Sequence, residues 1–304
     1  MKKIIALLLC FTVIFVFAGC DKETESKDIE KTENKQEEII HIEEESLTES
    51  AEDDLNDSEN KSSIKIGVQT NTSGHIYASG DFGEGAVVSY ENGAVAVEAL
   101  KKGKVDCVII DNEPAKSYVA ANSGLKILET EYTTEDYAIC FQKGDAELKN
   151  AVNGALKALI ADGSVKKIVD KYINNSGEAL NGIPVKAVDT DKPNLVMATN
   201  AEFPPYEYID GDKYYGIDVE VAKIIADKLG YDLVIENVAF DSIIPGVQAG
   251  KYDMGMAGMT VNEERQKQVE FSDSYATGVQ VVIVSEDSKI QSIEDLDPYY
   301  LPKD

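Results

Sequence analysis

Two stretches far apart in the chain repeat one local pattern. ALKKGKVDCVIID and PGVQAGKYDMGMAG each carry a Gly-Lys-x-Asp turn that leads into an apolar strand. Asp111 lies eight residues after Gly103, and Gly258 lies eight residues after Gly250, so the two fall at corresponding strand ends. A helix, a glycine turn and a buried strand, occurring twice, constrain the chain to two similar α/β lobes. In open α/β sheets, ligands bind in the crevice outside the carboxyl ends of the strands. Two such lobes face to face put one half-site from each across a shared cleft.

The second copy runs on into DMGMAGMTVNEERQKQVEFSD, Asp253 to Asp273. The pattern predicts a short strand, a turn with Thr260 near the helix cap, and Glu263 and Glu264 in the first helical turn. Backbone N–H groups at such a turn are unpaired, and Arg265 follows one turn later. The amides carry partial positive charge and the guanidinium offers a planar two-point fork, which together suit a small carboxylate. In the first half, strand IKIGV and turn TNTSG expose amides again, with Thr72 and Ser73 adding hydroxyl donors. Asp111 leaves the strand VDCVII where it could pair with an ammonium. The local sequence equally allows it to cap the helix begun by Glu113 and Pro114.

The stretch from Met254 onward, with its AGMT turn, EER and EFS, resembles the ligand-binding signature of the polar amino-acid solute-binding proteins of ABC importers. NLVMATNAEFPPYEYIDGDKYYGIDVEVAKIIADKLG is similar to the opening of that family, with its x-F-P-P-Y-E loop and G-x-D-V helix start. The resemblance implies an α/β, two-lobed periplasmic-binding-protein-like (type II) fold with a two-stranded hinge. It also implies a binder of a free L-amino acid that hands its ligand to ABC permease subunits, with no cofactor, metal or catalytic residue. On this reading Arg265, Gly258, Thr260, Thr72 and Ser73 hold the ligand carboxylate and Asp111 holds the ammonium. Phe203 and Phe240 wall the side chain, and each is also readable as a core aromatic. Asn200, Glu202, Gln69 and Ile110 stand where related proteins tune selectivity. Gln69 and Ile110 favour a neutral or polar ligand side chain, whereas Glu202 leaves a basic one open. Asn71 replaces the family's usual glycine, and asparagine tolerates a left-handed backbone better than most residues.

The family's opening stands second here. The expected order is lobe II at 63–136, a hinge crossover at 137–143, closing helices at 144–173 that pack on lobe I, and a linker at 174–192. Lobe I follows at 193–277, then a crossover at 278–285 and a C-terminal segment at 286–304 that returns to lobe II. That is the order of a circularly permuted binding protein, expected as a monomer. Two incomplete copies completed by swapping between molecules are the alternative.

MKKIIALLLCFTVIFVFAGC resembles a bacterial lipoprotein signal peptide with Cys20 as the lipidated residue, although Phe17 replaces the usual leucine. An uncleaved anchor is the alternative, and either one places the folded part on the outer face of the cytoplasmic membrane. Residues 21–62 carry seventeen acids against five lysines, a composition that predicts a disordered acidic tether. A net charge of −27 argues against nucleic acid as a partner. Cys107 and Cys140 fall in apolar strands and are expected as free buried thiols. A cyclohexadienyl-dehydratase-like enzyme on the same fold is a second functional reading, for which His75 would serve as acid or base. An amino-acid sensor domain is a third.

Overall fold

The computed structural model describes residues 64–129, 131–174, 176–185 and 192–296. The signal segment with Cys20, the acidic tether and the end of the C-terminal segment lie outside these residues.

The chain begins with β1 (Ile66–Gln69), α1 (Ser73–Phe82), β2 (Val87–Tyr90), α2 (Gly93–Lys101), β3 (Cys107–Asp111), α3 (Asn112–Ala121), β4 (Leu125–Ile127) and β5 (Thr133–Tyr137). It continues with β6 (Cys140–Phe141), α4 (Ala146–Ala161), α5 (Ser164–Ile173) and β7 (Ile183–Pro184). Then come β8 (Asn194–Thr199), β9 (Glu202–Phe203), β10 (Glu207–Asp210), β11 (Lys213–Tyr215), α6 (Ile217–Leu229) and β12 (Asp232–Asn237). The described chain closes with α7 (Ile243–Gln248), β13 (Met254–Gly255), α8 (Glu263–Gln268), β14 (Glu270–Phe271) and β15 (Ala276–Ser285).

Lobe II is a sheet in the order β2-β1-β3-β15-β4, with β5 also paired to β15. Lobe I is a sheet in the order β12-β8-β13-β6-β14. The two orders are equivalent. In each, the lobe's first strand lies between its second and third and runs parallel to both. The strand beyond the third runs antiparallel and arrives from the other lobe, β15 beside β3 and β6 beside β13. Strands β1 and β3 are buried along their whole length, as expected for parallel strands covered on both faces.

The repeated turn forms the same hydrogen bonds in both lobes. Gly103 and Gly250 both take the left-handed conformation, with φ of 64° and 68°. Each ends its helix with a Schellman pair: Gly103 N–H to Leu100 O and Lys104 N–H to Ala99 O, and Gly250 N–H to Val247 O and Lys251 N–H to Gly246 O. The aspartate of each turn then accepts an amide near the start of the neighbouring first strand. Asp106 takes Lys65 N–H at 2.7 Å, and Asp253 takes Val196 N–H at 2.7 Å.

The chain passes between the lobes twice. The first passage is at Ala138 and Ile139, between β5 of one sheet and β6 of the other. The second is at Ser272–Tyr275, before the expected 278–285, because β15 pairs with β5, β3 and β4 over its full length and already belongs to lobe II. The two passages are bonded side by side: Ser272 N–H to Ile139 O at 2.9 Å and Tyr275 N–H to Tyr137 O at 3.0 Å.

Helices α4 and α5 pack on α6. Lys171 and Glu220 form a buried ion pair there at 2.6 Å, and Asn181 N–H adds a bond to Glu220 at 3.2 Å. The linker residues β7 pair with β11, so this connection runs along lobe I. After β15, Ile290, Ile293 and Leu296 pack on Ile66, Val68 and Val282 of lobe II. The expected proline loop at Asn200–Tyr208 is instead a hairpin, β9 and β10, around a cis Pro204–Pro205 bond.

Candidate functional site

A cavity lies between the lobes, lined from lobe II by Gln69, Thr72, Ser73 and Asp111, and from lobe I by Asn200, Phe203, Glu207, Phe240, Ala257, Gly258, Thr260 and Arg265. Ten of the twelve residues singled out from sequence meet here. The space is ≈ 20 Å³, room for about one or two waters, so the lobes are closed on one another. Gln69 Nε2 donates to Asn200 Oδ1 across the cleft at 2.9 Å, and Tyr118 donates its hydroxyl to Glu202 O at 2.8 Å.

Arg265 is positioned by the start of α8. The cap of that helix is Asn262, not Thr260: Asn262 Oδ1 accepts Arg265 N–H at 2.8 Å. The guanidinium is buried, donates to Thr260 O at 2.8 Å and across the cleft to Asn71 O at 3.0 Å, and lies 5.3 Å from the Phe240 ring centre. Asn71 presents that carbonyl from a left-handed backbone, φ 60°. Burial lowers the guanidinium pKa, against which the Glu135 and Asp111 charges act. Thr260 pairs with Tyr137 in a bridge whose bonds run from Ala138 N–H to Met259 O and from Val261 N–H to Asp136 O, so the Thr260 amide is outside that ladder.

The hydroxyls behave differently from the sequence expectation. Thr72 is the cap of α1: its Oγ1 accepts His75 N–H at 3.3 Å and donates to Gln69 O at 2.8 Å. Ser73 and Thr260 both donate to Glu135 Oε2, at 2.9 and 3.0 Å, and Gln280 Nε2 donates to the same oxygen at 2.9 Å. A hydroxyl has one proton, so while it serves Glu135 it cannot serve a ligand carboxylate. Glu135 was not found from sequence, although its inward position on β5, two residues before buried Tyr137, was a signal.

Asp111 occupies the cap position of α3 but makes no capping bond. Its carboxylate instead accepts the Tyr137 hydroxyl. Burial pushes the Asp111 pKa up to about 7, with Glu135 adding to the rise and the bonds from Tyr137 and Gln280 opposing it. Gly258 adopts φ 51°, and a Cβ there would come within 2.9 Å of Phe203, so glycine is required on both counts. Its amide is already taken, donating to Asp218 Oδ2 at 2.8 Å, where Tyr275 also donates at 2.8 Å. Glu207, missed from sequence, lies fully buried beside Asp218.

Two residues singled out from sequence lie elsewhere. Glu202 is exposed, because strand alternation turns it outward when Phe203 turns in. Ile110 is packed in the lobe II core, where a Cβ on Gly93 would come within 2.6 Å of it. His75 is bound into its own turn, with Nδ1 accepting Asn71 N–H at 3.0 Å, and does not line the cavity. Cys107 and Cys140 are free and buried, and burial pushes the Cys140 thiol up to about 12.

The family described as bacterial extracellular solute-binding proteins, family 3, matches residues 85–175 and 195–303. The arginine-binding extracellular protein ArtP of Bacillus subtilis is 41% identical over 108 residues, 36% of this chain and 42% of that one. The cyclohexadienyl dehydratase of Pseudomonas aeruginosa is 29% identical over 106 residues, 34% of this chain and 40% of that one. A solved ancestral arginine-binding protein bound to arginine is 48% identical over 26% of this chain and 36% of its own, with a TM-score of 0.26. The chain spans about two fifths of the length of the curated relatives it matches.

Proposed function

The chain belongs to the bacterial extracellular solute-binding proteins of family 3, and from that premise we propose that it captures a free L-amino acid between its lobes and presents it to an ABC permease. The observation that carries this reading is the single cavity to which lobe I contributes Arg265 and lobe II contributes Asp111. An α-amino acid has one negative and one positive end, and a guanidinium and a carboxyl group lining one closed cavity from opposite lobes are complementary to both. In this reading Arg265 and the Thr260 amide take the ligand carboxylate, Asp111 takes the ammonium, and Phe203 and Phe240 flank the side chain. Asn71, Gln69 and Asn200 close the cleft around it. The name of the Bacillus relative puts arginine first among the ligands to try.

We also read the chain as circularly permuted, lipid-anchored at Cys20 and working outside the cytoplasmic membrane. Support for the permutation comes from the order of the lobes, since β1 to β5 of lobe II and the helices covering lobe I all precede β8, and only β15 of the lobe II sheet follows it. Thermal shift against the twenty common amino acids, with native mass on the same sample, tests the binding role. At a ligand concentration of about 100 Kd, stabilisation is about 2.7 kcal/mol. A transition that no amino acid moves would contradict the proposal. Ligand recovered chemically unchanged separates a binder from a dehydratase.

A further inference from the structure

Glu207 and Asp218 are two acids buried against each other. Glu207 stands on β10 and Asp218 in the first turn of α6, and both are fully buried. No N–H or hydroxyl among the described residues reaches either Glu207 carboxyl oxygen or Asp218 Oδ1. What those oxygens have is each other, through a hydrogen bond between the two carboxyls. An ionised carboxyl only accepts, so that bond requires one member of the pair to hold a proton. Asp218 already accepts the Gly258 N–H and the Tyr275 hydroxyl, each at 2.8 Å, and such donors favour its ionised form. The proton therefore belongs to Glu207, which donates it to Asp218.

The backbone builds this contact. Gly216 has φ 131°, and a Cβ there would come within 2.0 Å of Tyr206 O and 2.8 Å of Glu207 N, so a glycine is what lets the hairpin press against the start of α6. Ile217 N–H then donates to Pro205 O at 3.1 Å and Asp218 N–H to Tyr206 O at 3.0 Å. Held there, Asp218 joins Glu207 on the hairpin to Gly258 in the cavity wall and to Tyr275 in the second passage between the lobes. Tyr275 N–H donates in turn to Tyr137 O, at the end of β5. We propose that Glu207 is a positioning residue: as a neutral acid donating to Asp218, it keeps Asp218 on the Gly258 amide and so sets the turn from Gly258 to Thr260 at which lobe I meets the ligand. Its bearing on the ligand rests on the amino-acid-binding reading of the cleft.

The groups packed around the pair leave the proton in place. Burial first, then Asp218, hold the Glu207 carboxyl well above the ordinary carboxylate range, and Asp111 at the end of β3 adds to the rise. Burial pushes Asp218 up to about 7, with its bonds to Gly258, Tyr275 and Glu207 opposing. Glu113 and Tyr118 of α3, Tyr206 of the hairpin and Tyr275 complete the surroundings, and burial raises all three phenols. Arg265 is set against Glu135 and Asp111. The proton therefore stays through neutral pH and leaves in alkali, where two carboxylates side by side repel.

Hydrogen exchange of the Gly258 amide, measured without added ligand, tests this in Glu207→Gln, which keeps a donor, and Glu207→Met, which keeps the unbranched length and loses the donor. At about pH 7 the amide should exchange at least tenfold faster in Glu207→Met than in Glu207→Gln. Wild-type protection, corrected for intrinsic exchange, should fall as pH rises from about 7 to about 10, and that of Glu207→Gln should stay level. At about pH 8 the infrared spectrum of the wild type should show the carbonyl stretch of a protonated carboxyl that Glu207→Gln lacks, a reading that stands even if Glu207→Met does not fold. L-Arginine should bind Glu207→Gln at least tenfold more tightly than Glu207→Met. Absence of the infrared band, or equal Gly258 exchange in the two variants, overturns the proposal. Different exchange with equal arginine affinity overturns the positioning of the ligand turn. If the band and the exchange difference are found and none of the twenty common amino acids binds the wild type, the amino-acid reading fails and the hold of Glu207 on Gly258 stands.

Discussion

Replacing Glu135 with alanine should tighten ligand binding while making the empty protein less stable. Across the closed cleft, Glu135 Oε2 collects donors from Ser73, Thr260 and Gln280 at 2.9, 3.0 and 2.9 Å. On the proposed amino-acid-binding reading, the Ser73 and Thr260 hydroxyls are donors that a ligand carboxylate would want, and Glu135 competes with it for them. It also supplies negative charge near Arg265. A hydrogen bond to a charged group is worth about 1.5–3 kcal/mol. Freeing one hydroxyl bond's worth for the ligand therefore predicts a Kd lower by about tenfold to a hundredfold. The same deletion leaves three donors without their shared acceptor and links the lobes less well, so unfolding of the empty protein should come about 1–3 kcal/mol easier. Titration calorimetry with L-arginine gives the first quantity and urea denaturation the second. Glu135→Gln, which keeps one acceptor oxygen and loses the charge, should fall between wild type and alanine. Tenfold weaker binding in Glu135→Ala would instead make Glu135 a ligand contact rather than a competitor.

Five further outcomes follow from the same geometry. Arg265→Ala should weaken amino-acid binding at least a hundredfold, about 3 kcal/mol, with the far-ultraviolet circular dichroism of the folded protein retained. Binding of the neutral ligand citrulline should weaken as pH falls below 7, because Asp111, with a pKa pushed up to about 7, must give up its proton to meet an ammonium; Asp111→Asn should be weaker and flat with pH. For the empty protein the sign is opposite: Asp111 and Asp218 keep protons in the folded state that the unfolded chain has lost above about pH 4, so its melting temperature should fall as pH rises from there to about 7. Glu220→Gln leaves Lys171 buried without its counter-ion and should destabilise the protein by about 3–5 kcal/mol, read by denaturant titration. A chain rejoined so that residues 193–304 precede 63–173 should fold and bind as the natural order does, and failure of that chain to fold would count against the permutation.

The two-lobed architecture was legible because it is written in local chemistry. The Gly-Lys-x-Asp echo gave matched helix ends, matched aspartate caps on β1 and β8, and two strand ends facing one cavity. Arg265 and Asp111 were placed by the same local pattern, at a turn and a strand end, whereas Phe203 and Phe240 came only from the family resemblance; all four line the one cavity. What sequence hid was side-chain direction and partner. Glu202 and Glu207 are both acids of one hairpin, and only the register with Phe203 shows that Glu207 faces the cavity and Glu202 the solvent. The Gly258 amide and the Thr72 hydroxyl looked available, yet Asp218, forty residues earlier than Gly258, and the α1 cap had claimed them. Glu135 became visible only when β5 and β15 brought it to Ser73 and Gln280, a meeting of segments far apart in the chain. The second crossover was displaced from its expected place because β15 is one long strand that belongs to lobe II throughout.

On the proposed reading, one cleft holds both charged ends of an amino acid, each from a different lobe. Side-by-side calorimetry of L-arginine, of agmatine, which lacks the carboxylate, and of 5-guanidinopentanoic acid, which lacks the α-amino group, tests it directly. Each truncated compound should bind at least a hundredfold more weakly than arginine, about 2.7 kcal/mol for each missing end. Either of them binding as tightly as arginine itself would mean that the cleft does not hold both ends.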